Sequence, residues 1–570
     1  MRYKKLAELY KELSSTTKRL EKIDILSKFL DILPDSDSDI LYLLLGDIYP
    51  EYDERRIGIS SQLAIKAISI STGSEKDLVV KEWKSIGDLG EVAKKLTQNK
   101  KQSTLASHIL TTEKVLENLR KLPPLEGKGT VTKKLSIITE LLTSAEPLEA
   151  LYLVRTLIGD LRVGLKEATV RETIAKAFFK DEKIAAEKIQ RAIDKTNDLA
   201  AVFNIAKKGK LNDLEKLHLE VGKPIKAMLA QKALSIPDAF KAVGTPCAVE
   251  YKYDGFRLII HKKEKQVILF TRRLENVTKQ FPEVVEYILK NVKGDSFILD
   301  SEAVGFDTKT KRYTQFQKIS QRIRRKYDIA KLQKELPVEV NVFDILYYNG
   351  KSLLDNPFEK RTKLIKEIIK SQPYKIIHAK QIITSDEKKV DSFYKEALKN
   401  NQEGIMFKNL SSPYQPGSRV GHMLKMKPEA RDFDLVITGA EYGKGKRSGW
   451  MSSFILSCKG NKKGEYLEVG KMGTGIKEKT ELGISFDELT KKLTPLITKE
   501  KANTVEIKPK IIVSVTYQEI QHSPNYKSGF ALRFPRFTAL RHDDKPLSEI
   551  TSIKDIEEEF ENQKRNWKYG

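Results

Sequence analysis

The chain has 570 residues, 40% of them hydrophobic and 32% charged, with 103 Lys and Arg against 78 Asp and Glu. That length allows about three to four domains, the apolar fraction excludes a wholly disordered chain, and a formal charge of +25 calls for an anionic partner, nucleic acid first. Two cysteines, Cys247 and Cys458, exclude a disulfide framework and a four-thiolate zinc site. The start, Met1-Arg2-Tyr3-Lys4-Lys5, runs into a helical pattern rather than an apolar signal core. The longest apolar run, over 40–49, is broken by Gly46 and Asp47 and is too short to cross a bilayer. A soluble, cytoplasmic protein is expected.

From residue 1 to about 218 the hydrophobic period is helical. Leu6, Leu9, Tyr10 and Leu13 form one stripe. Leu20, Ile23, Leu26, Phe29, Leu30 and Leu33 form a second, stopped by Pro34. Asp39 is placed to cap a third helix carrying Leu41, Leu44 and Leu45. No fixed-period repeat occurs, which excludes a solenoid, and 97–107 reads as a polar loop. Past Gly222-Lys223-Pro224 the pattern changes to short strands over 248–253, 256–261, 266–271, 297–306, 338–347 and 403–408, with helices over 282–292 and 358–370. That mixture predicts an α+β or α/β domain. After about Pro428, strands over 434–440, 452–458, 466–469 and 511–515 separated by glycines predict a small β-barrel. The expected domains are 1–218, 219–428 and 429–570.

The segment Glu250-Tyr251-Lys252-Tyr253-Asp254-Gly255-Phe256-Arg257 carries the most chemistry. Side chains alternate along a strand, so Glu250, Lys252 and Asp254 share one face and the two tyrosines the other. Asp254-Gly255 reads as a hairpin turn into the next strand. Such a face is either a solvated edge with a salt bridge or the floor of a polar cavity in which Lys252 is a nucleophile. Attack requires the neutral amine, favoured by desolvation or by nearby cations such as Arg257 and Arg272. Lys425 and Lys427 alternate with Leu424 and Met426, which puts two ammonium groups on one strand face, suited to phosphate. Asp300 and Glu302 also share a face. In an otherwise apolar strand they must be paired or bind a metal, and oxygen ligands fit Mg²⁺ better than zinc.

Glu250 to Arg257 resembles the nucleotidyl-lysine motif of ATP-dependent DNA ligases, and the family's other motifs follow in order. Phe270-Thr271-Arg272-Arg273 is similar to the next, which implies that Arg272 contacts the nucleotide and a 5′-phosphate. In Phe297-Ile298-Leu299-Asp300-Ser301-Glu302-Ala303-Val304 the resemblance makes Glu302 a ribose and metal contact. In Val342-Phe343-Asp344-Ile345-Leu346-Tyr347-Tyr348-Asn349-Gly350 it makes Phe343 the aromatic that stacks on adenine. Glu403-Gly404-Ile405-Met406-Phe407-Lys408 places Glu403 near the metal. Leu424-Lys425-Met426-Lys427 places both lysines at the α-phosphate, and Arg419 just upstream is a further nucleotide contact. Arg533-Phe534-Pro535-Arg536-Phe537, with Arg541 beyond, resembles the last motif, with Arg536 orienting pyrophosphate. Upstream, Leu161-Arg162-Val163-Gly164-Leu165 resembles a signature of the helical DNA-binding domain of archaeal and eukaryotic-type replicative ligases. The resemblance covers essentially the whole chain. It implies an all-α DNA-binding domain, a nucleotidyltransferase domain and a C-terminal OB-fold barrel. It also implies ATP and Mg²⁺ as cofactors and a monomer that closes on nicked double-stranded DNA near the nucleoid, in replication, repair and recombination.

Other readings separate cleanly. Tyr442-Gly443-Lys444-Gly445-Lys446-Arg447-Ser448-Gly449 lacks the order of a phosphate-binding P-loop and reads as a basic finger that touches DNA phosphates or as a solvated hairpin tip. His422 and His542 have no ligand partners at metal spacing. An RNA ligase or capping enzyme shares the lysine chemistry but not the long helical N-terminus, and an NAD-dependent ligase needs a zinc module that two cysteines cannot build. A non-catalytic DNA-binding scaffold explains the charge but not Glu250, Lys252 and Asp254 together. A sliding-clamp partner is expected at the 97–107 loop, which holds Gln102 and Leu105 but no aromatic pair.

Overall fold

The structure is a computed structural model of the chain. It describes all residues except 99–108, 128, 315, 324, 326, 418–420, 429–431, 444–446, 448, 463, 479–482, 502, 542–544 and 569–570. Arg419, Gln102, Leu105, Lys444, Lys446 and His542 therefore lie outside the described residues. Two compact units divide the chain, residues 1–387 with 406–425 and residues 388–405 with 426–570.

The first unit begins with twelve described α-helices from Tyr3 to Ala206. Their apolar stripes converge on one core that includes Tyr3, Leu6, Tyr10, Leu13, Leu26, Leu30, Ile65, Leu153 and Phe203. Asp88, Asp181 and Asp198 cap the helices Leu89–Thr97, Glu182–Thr196 and Leu199–Ala206 through side-chain oxygens on backbone N–H groups. Asp39 does not cap Ile40–Leu44. It is itself in right-handed helical geometry, which turns its carboxylate away from the helix start, and it pairs with Arg120 at 2.8 Å. Leu20, counted in the second stripe, is 75% exposed.

The strands that follow are β1 (Gln231–Lys232), β2 (Cys247–Lys252), β3 (Phe256–Lys263), β4 (Gln266–Thr271), β5 (Ser296–Gly305), β6 (Val338–Tyr348), β7 (Lys351–Ser352), β8 (Ile376–His378), β9 (Gln381–Thr384), β10 (Gly404–Lys408) and β11 (Met423–Met426). One sheet has the order β1-β11-β10-β2-β9. The other runs β4-β3-β5-β6-β7, with β8 beside β6. On the second sheet, Phe256, Leu258 and Ile260 of β3, Phe297, Leu299 and Ala303 of β5, and Val338, Val340 and Val342 of β6 face a core completed by the helices Pro282–Asn291 and Phe358–Ile368. The opposite face packs Ile259, Ile298 and Leu346 against Ile225, Met228, Tyr414 and Met423. Residues from both sheets therefore meet on that side. His261 is buried there, its Nδ1 accepting the Gly222 N–H at 3.0 Å, and burial pushes its pKa down to about 3. It is a neutral structural histidine.

β2 and β3 do not form the expected hairpin, because each belongs to a different sheet. The chain changes sheets at Asp254-Gly255. A Cβ on Gly255 would overlap the Ala303 carbonyl oxygen, so glycine is required for the turn to lie directly on β5.

The second unit contains β12 (Phe433–Tyr442), β13 (Met451–Lys459), β14 (Tyr466–Met472), β15 (Ile497–Lys501), β16 (Thr504–Ile507), β17 (Ile512–Thr516), β18 (Glu519–His522), β19 (Phe530–Arg533) and β20 (Arg536–Leu540). The long β12 pairs β13, β16 and β17 in turn, and Leu435, Ile437, Phe454, Leu456, Val513 and the helix residues Phe486 and Leu489 form its core. β18 and β19 make a separate ribbon. The unit is strand-rich, and among the described residues its ladder does not close on itself.

Candidate active site

Lys252 is the last residue of β2 and is half-buried. Two positions earlier on the same face, Glu250 is 3% exposed. Its carboxylate accepts from Gln381 Nε2 of β9 at 2.8 Å and pairs with Lys408 Nζ of β10 at 2.6 Å. Burial pushes the Glu250 carboxyl up, against the pull of Lys408. Tyr253, just past the end of β2, is buried, and its hydroxyl accepts the Lys380 N–H at 2.9 Å.

On the facing sheet, Asp300 and Glu302 of β5 lie across from Ile259 and Arg257 of β3. Asp300 is fully buried and is paired rather than metal-bound. The Arg257 guanidinium embraces both its oxygens, with Nε to Oδ1 at 2.8 Å, and the Tyr414 hydroxyl donates to Oδ2 at 2.7 Å. Arg257 also donates to the Met228 carbonyl at 2.6 Å, while the Met228 N–H donates to the Tyr414 oxygen at 2.9 Å. One buried network thus joins β3, β5, the segment leading into this domain and the loop before β11. Glu302 is half-buried next along the same face.

A register shift opposite β5 leaves Phe343 as the extra residue of β6, between Val342, which pairs Ser301, and Asp344, which pairs Asp300. Its half-buried ring has the Arg257 guanidinium carbon 5.3 Å from the centroid and Lys408 Nζ 4.6 Å away. Lys408 also donates to the Phe343 carbonyl at 3.2 Å. Asp344 is fixed by Arg361, with Nε to Oδ1 at 2.7 Å. Beside the ring lies a cavity of about 20 Å³ lined by Met228, Arg257, Phe343, Lys408, Tyr414 and Met423 among others, room for about one water.

The structure therefore brings Glu250, Arg257 and Phe343 into one buried patch and sets Lys252 and Glu302 along the strand faces that bear Glu250 and Asp300. Lys425 of β11 is half-buried on the same strand face as the cavity-lining Met423. Arg272, just beyond β4, is exposed. In the second unit Glu403 and Lys427 form an ion pair with each other. The pairing follows from the close approach of Gly404, at φ +145°, to the Met426 carbonyl. Arg536 opens β20 and is exposed. Lys408, Gln381, Tyr414, Asp344 and Arg361 were not assigned roles from sequence. Of these, Lys408 had a readable signal, since it alternates with Met406 at the end of the 403–408 strand. Among the described residues no three His, Cys, Asp or Glu side chains converge as a metal cage. The hard carboxylate oxygens of Glu302 are of the kind that suit a divalent cation taking its other ligands from phosphate and water.

A helical module, a two-sheet domain with a lysine on the strand face that bears Glu250, and a strand-rich unit together define a nucleotidyltransferase with a central adenylation domain. Residues 2–175 match the family described as DNA ligase N terminus, residues 227–427 the ATP dependent DNA ligase domain, and residues 447–544 the ATP dependent DNA ligase C terminal region. Similar proteins include the DNA ligase of Nanoarchaeum equitans, 44% identical with 99% of each chain covered. The DNA ligase of Thermococcus fumicolans is 40% identical with 99% of each covered. A solved structure described as Pmar-Lig_Pre shares the fold at a TM-score of 0.58, 17% identity, covering 94% of this chain and 98% of that one. The chain belongs to the ATP-dependent DNA ligases.

Proposed function

We propose that Lys252 is the residue that carries the adenylate. As a member of its family the protein is an ATP-dependent DNA ligase that seals nicks in duplex DNA through an adenylate intermediate, using ATP and a divalent metal. In this reading the neutral Lys252 Nζ attacks the α-phosphorus of ATP, a phosphorus–nitrogen bond forms, and the bond to pyrophosphate breaks. The AMP then passes to the 5′-phosphate at the nick, and the 3′-hydroxyl displaces it.

The observation that carries this assignment is the shared strand face of Glu250 and Lys252 beside Phe343. Phe343 would stack on the adenine and Glu250 would border the base. Because the cavity holds about one water, the side chains of Phe343 and Lys408 must shift to admit a purine. Arg257 shapes this wall while held by Asp300. Glu302 contacts ribose and, with Glu403, supplies carboxylate oxygens to Mg²⁺. The cation stabilises negative charge developing on the phosphate oxygens. Lys425, Lys427 and Arg272 receive phosphates, Arg419 contacts the nucleotide, and Arg536 orients the pyrophosphate. The Glu403–Lys427 pair keeps both charges satisfied until their ligands arrive.

At the domain scale, 1–218 grips the duplex, 219–428 performs adenylation, and 429–570 is an OB-fold barrel whose 442–449 finger touches phosphates. The protein acts as a cytoplasmic, nucleoid-associated monomer, and the 97–107 loop contacts a sliding clamp. No helix among the described residues is long and apolar enough to cross a membrane.

The test is incubation with α-labelled ATP and Mg²⁺ followed by denaturation. Label stays on the wild-type chain and is absent from Lys252→Ala. Equal labelling of the two would end the assignment.

A further inference from the structure

The segment that leads from the helical module into the adenylation domain makes three polar attachments at alternate residues. The Pro224 carbonyl accepts from Asn197 Nδ2 of the helical module at 2.8 Å. Lys226 Nζ lies 2.6 Å from Glu51 and 2.9 Å from Glu167, both of the helical module. Met228 turns its N–H to Tyr414 and its carbonyl to Arg257, at the wall of the cavity beside Phe343. The Lys226 stem also lies against Gly417, where a Cβ would stand 3.2 Å from Lys226 Cδ. A neighbouring contact has the same partners in outline, with the Asn276 N–H donating to Glu54 at 2.8 Å.

We infer that Lys226 is a positioning residue that fixes the helical module and the nucleotide pocket relative to each other. Two residues of chain separate the Lys226 and Met228 Cα atoms, at most about 7 Å at 3.3–3.6 Å per residue. A shift of the helical module at Glu51 and Glu167 is therefore passed to the Met228 carbonyl that holds Arg257. The ammonium is also the counter-charge to an acidic group. Glu51 is raised by burial and by Glu167, and Lys226 is raised by both carboxylates against its own burial. Asp194, on the adjoining helix, is bonded by Gln190 rather than by Lys226. Replacing Lys226 with an uncharged residue removes the ion pairs that tie the segment to the helical module and leaves Glu51 and Glu167 facing each other without compensation.

The inference rests on the nucleotide occupying the Phe343 patch. Its test uses the full chain and three variants, Lys226→Met, Lys226→Arg and Glu51→Gln/Glu167→Gln. Hydrogen exchange over residues 222–230 and the KM for ATP in covalent labelling are both measured. Lys226→Met is expected to speed exchange in 222–230 and to raise KM at least about fivefold, the lower end of ordinary coupling between sites, with the maximal labelling rate within about twofold. Lys226→Arg is expected to restore both, and the double glutamine variant to resemble Lys226→Met more weakly. An unchanged KM in Lys226→Met overturns the inference even if exchange rises, and so does a fall in rate with no change in KM. Failure of the wild-type chain to take label would instead strike the assignment of Lys252.

Discussion

Asp300 is fully buried, and its charge is met by Arg257 from β3 and by Tyr414 from the loop before β11. Taking away one member leaves the other charge stranded, so Asp300→Leu should cost about 3–5 kcal/mol of stability in urea unfolding. Adding Arg257→Met to Asp300→Leu should return much of that loss, because an apolar pair no longer strands a charge. Asp194 supplies a pH test. It is 9% exposed, and burial pushes its pKa up to about 6 from 3.8. Its contribution is therefore fully present below about pH 4 and is lost as pH rises through 6, by about 3 kcal/mol. Asp194→Asn should be more stable than wild type at pH 7 and lose that advantage by pH 4, as read from paired denaturation curves. At this scale the sequence disclosed which side chains share a face, since alternation places Glu250 with Lys252 and Asp300 with Glu302. It left open whether Asp300 is paired or metal-bound, because its partners stand 43 and 114 residues away.

The element on which the site depends most is the turn from β2 to β3. Asp254-Gly255 looked like a hairpin because the dipeptide is shared by hairpins and by any sharp reversal. What decides the outcome is long-range, since β2 finds β9 and β10 while β3 finds β4 and β5. The turn thereby sets Lys252 where one sheet hands over to the other. Gly255→Ala forces a methyl group onto the Ala303 carbonyl, an overpacking worth about 1–3 kcal/mol. Because the displaced strand is β5, the same change should slow covalent labelling by ATP, and it should do so at temperatures where circular dichroism still reports a folded chain. The bulge that exposes Phe343 on β6 was likewise invisible in sequence. A strand phenylalanine reads as core, and only pairing against β5 shows it displaced toward Arg257 and Lys408.

For the molecule as a whole, the order helical, mixed, strand-rich was legible because hydrophobic period changes from 3.6 to 2 near residue 222 and helices thin after 428. The matches to ligase N-terminal, central and C-terminal families follow that order. The small β-barrel expected after residue 428 is matched only as a strand-rich unit, whose ladder does not close among the described residues, because closure depends on register between distant strands that local pattern does not set. The excess of 103 basic over 78 acidic residues makes affinity for nicked duplex a matter of counterion release. With about six or more phosphate contacts, affinity should fall roughly a thousandfold between 50 and 200 mM salt while showing little preference for base sequence. Binding that ignored salt would contradict this account of the charge.

The most direct measurement is to locate the adenylate itself. The full chain is incubated with ATP and Mg²⁺, digested at a pH that preserves phosphorus–nitrogen bonds, and read by tandem mass spectrometry. The peptide spanning residues 247–257 should gain one AMP at Lys252, and the gain should vanish on adding nicked DNA. An AMP found on any other residue, or none on the chain while nicks are still sealed, would contradict the account.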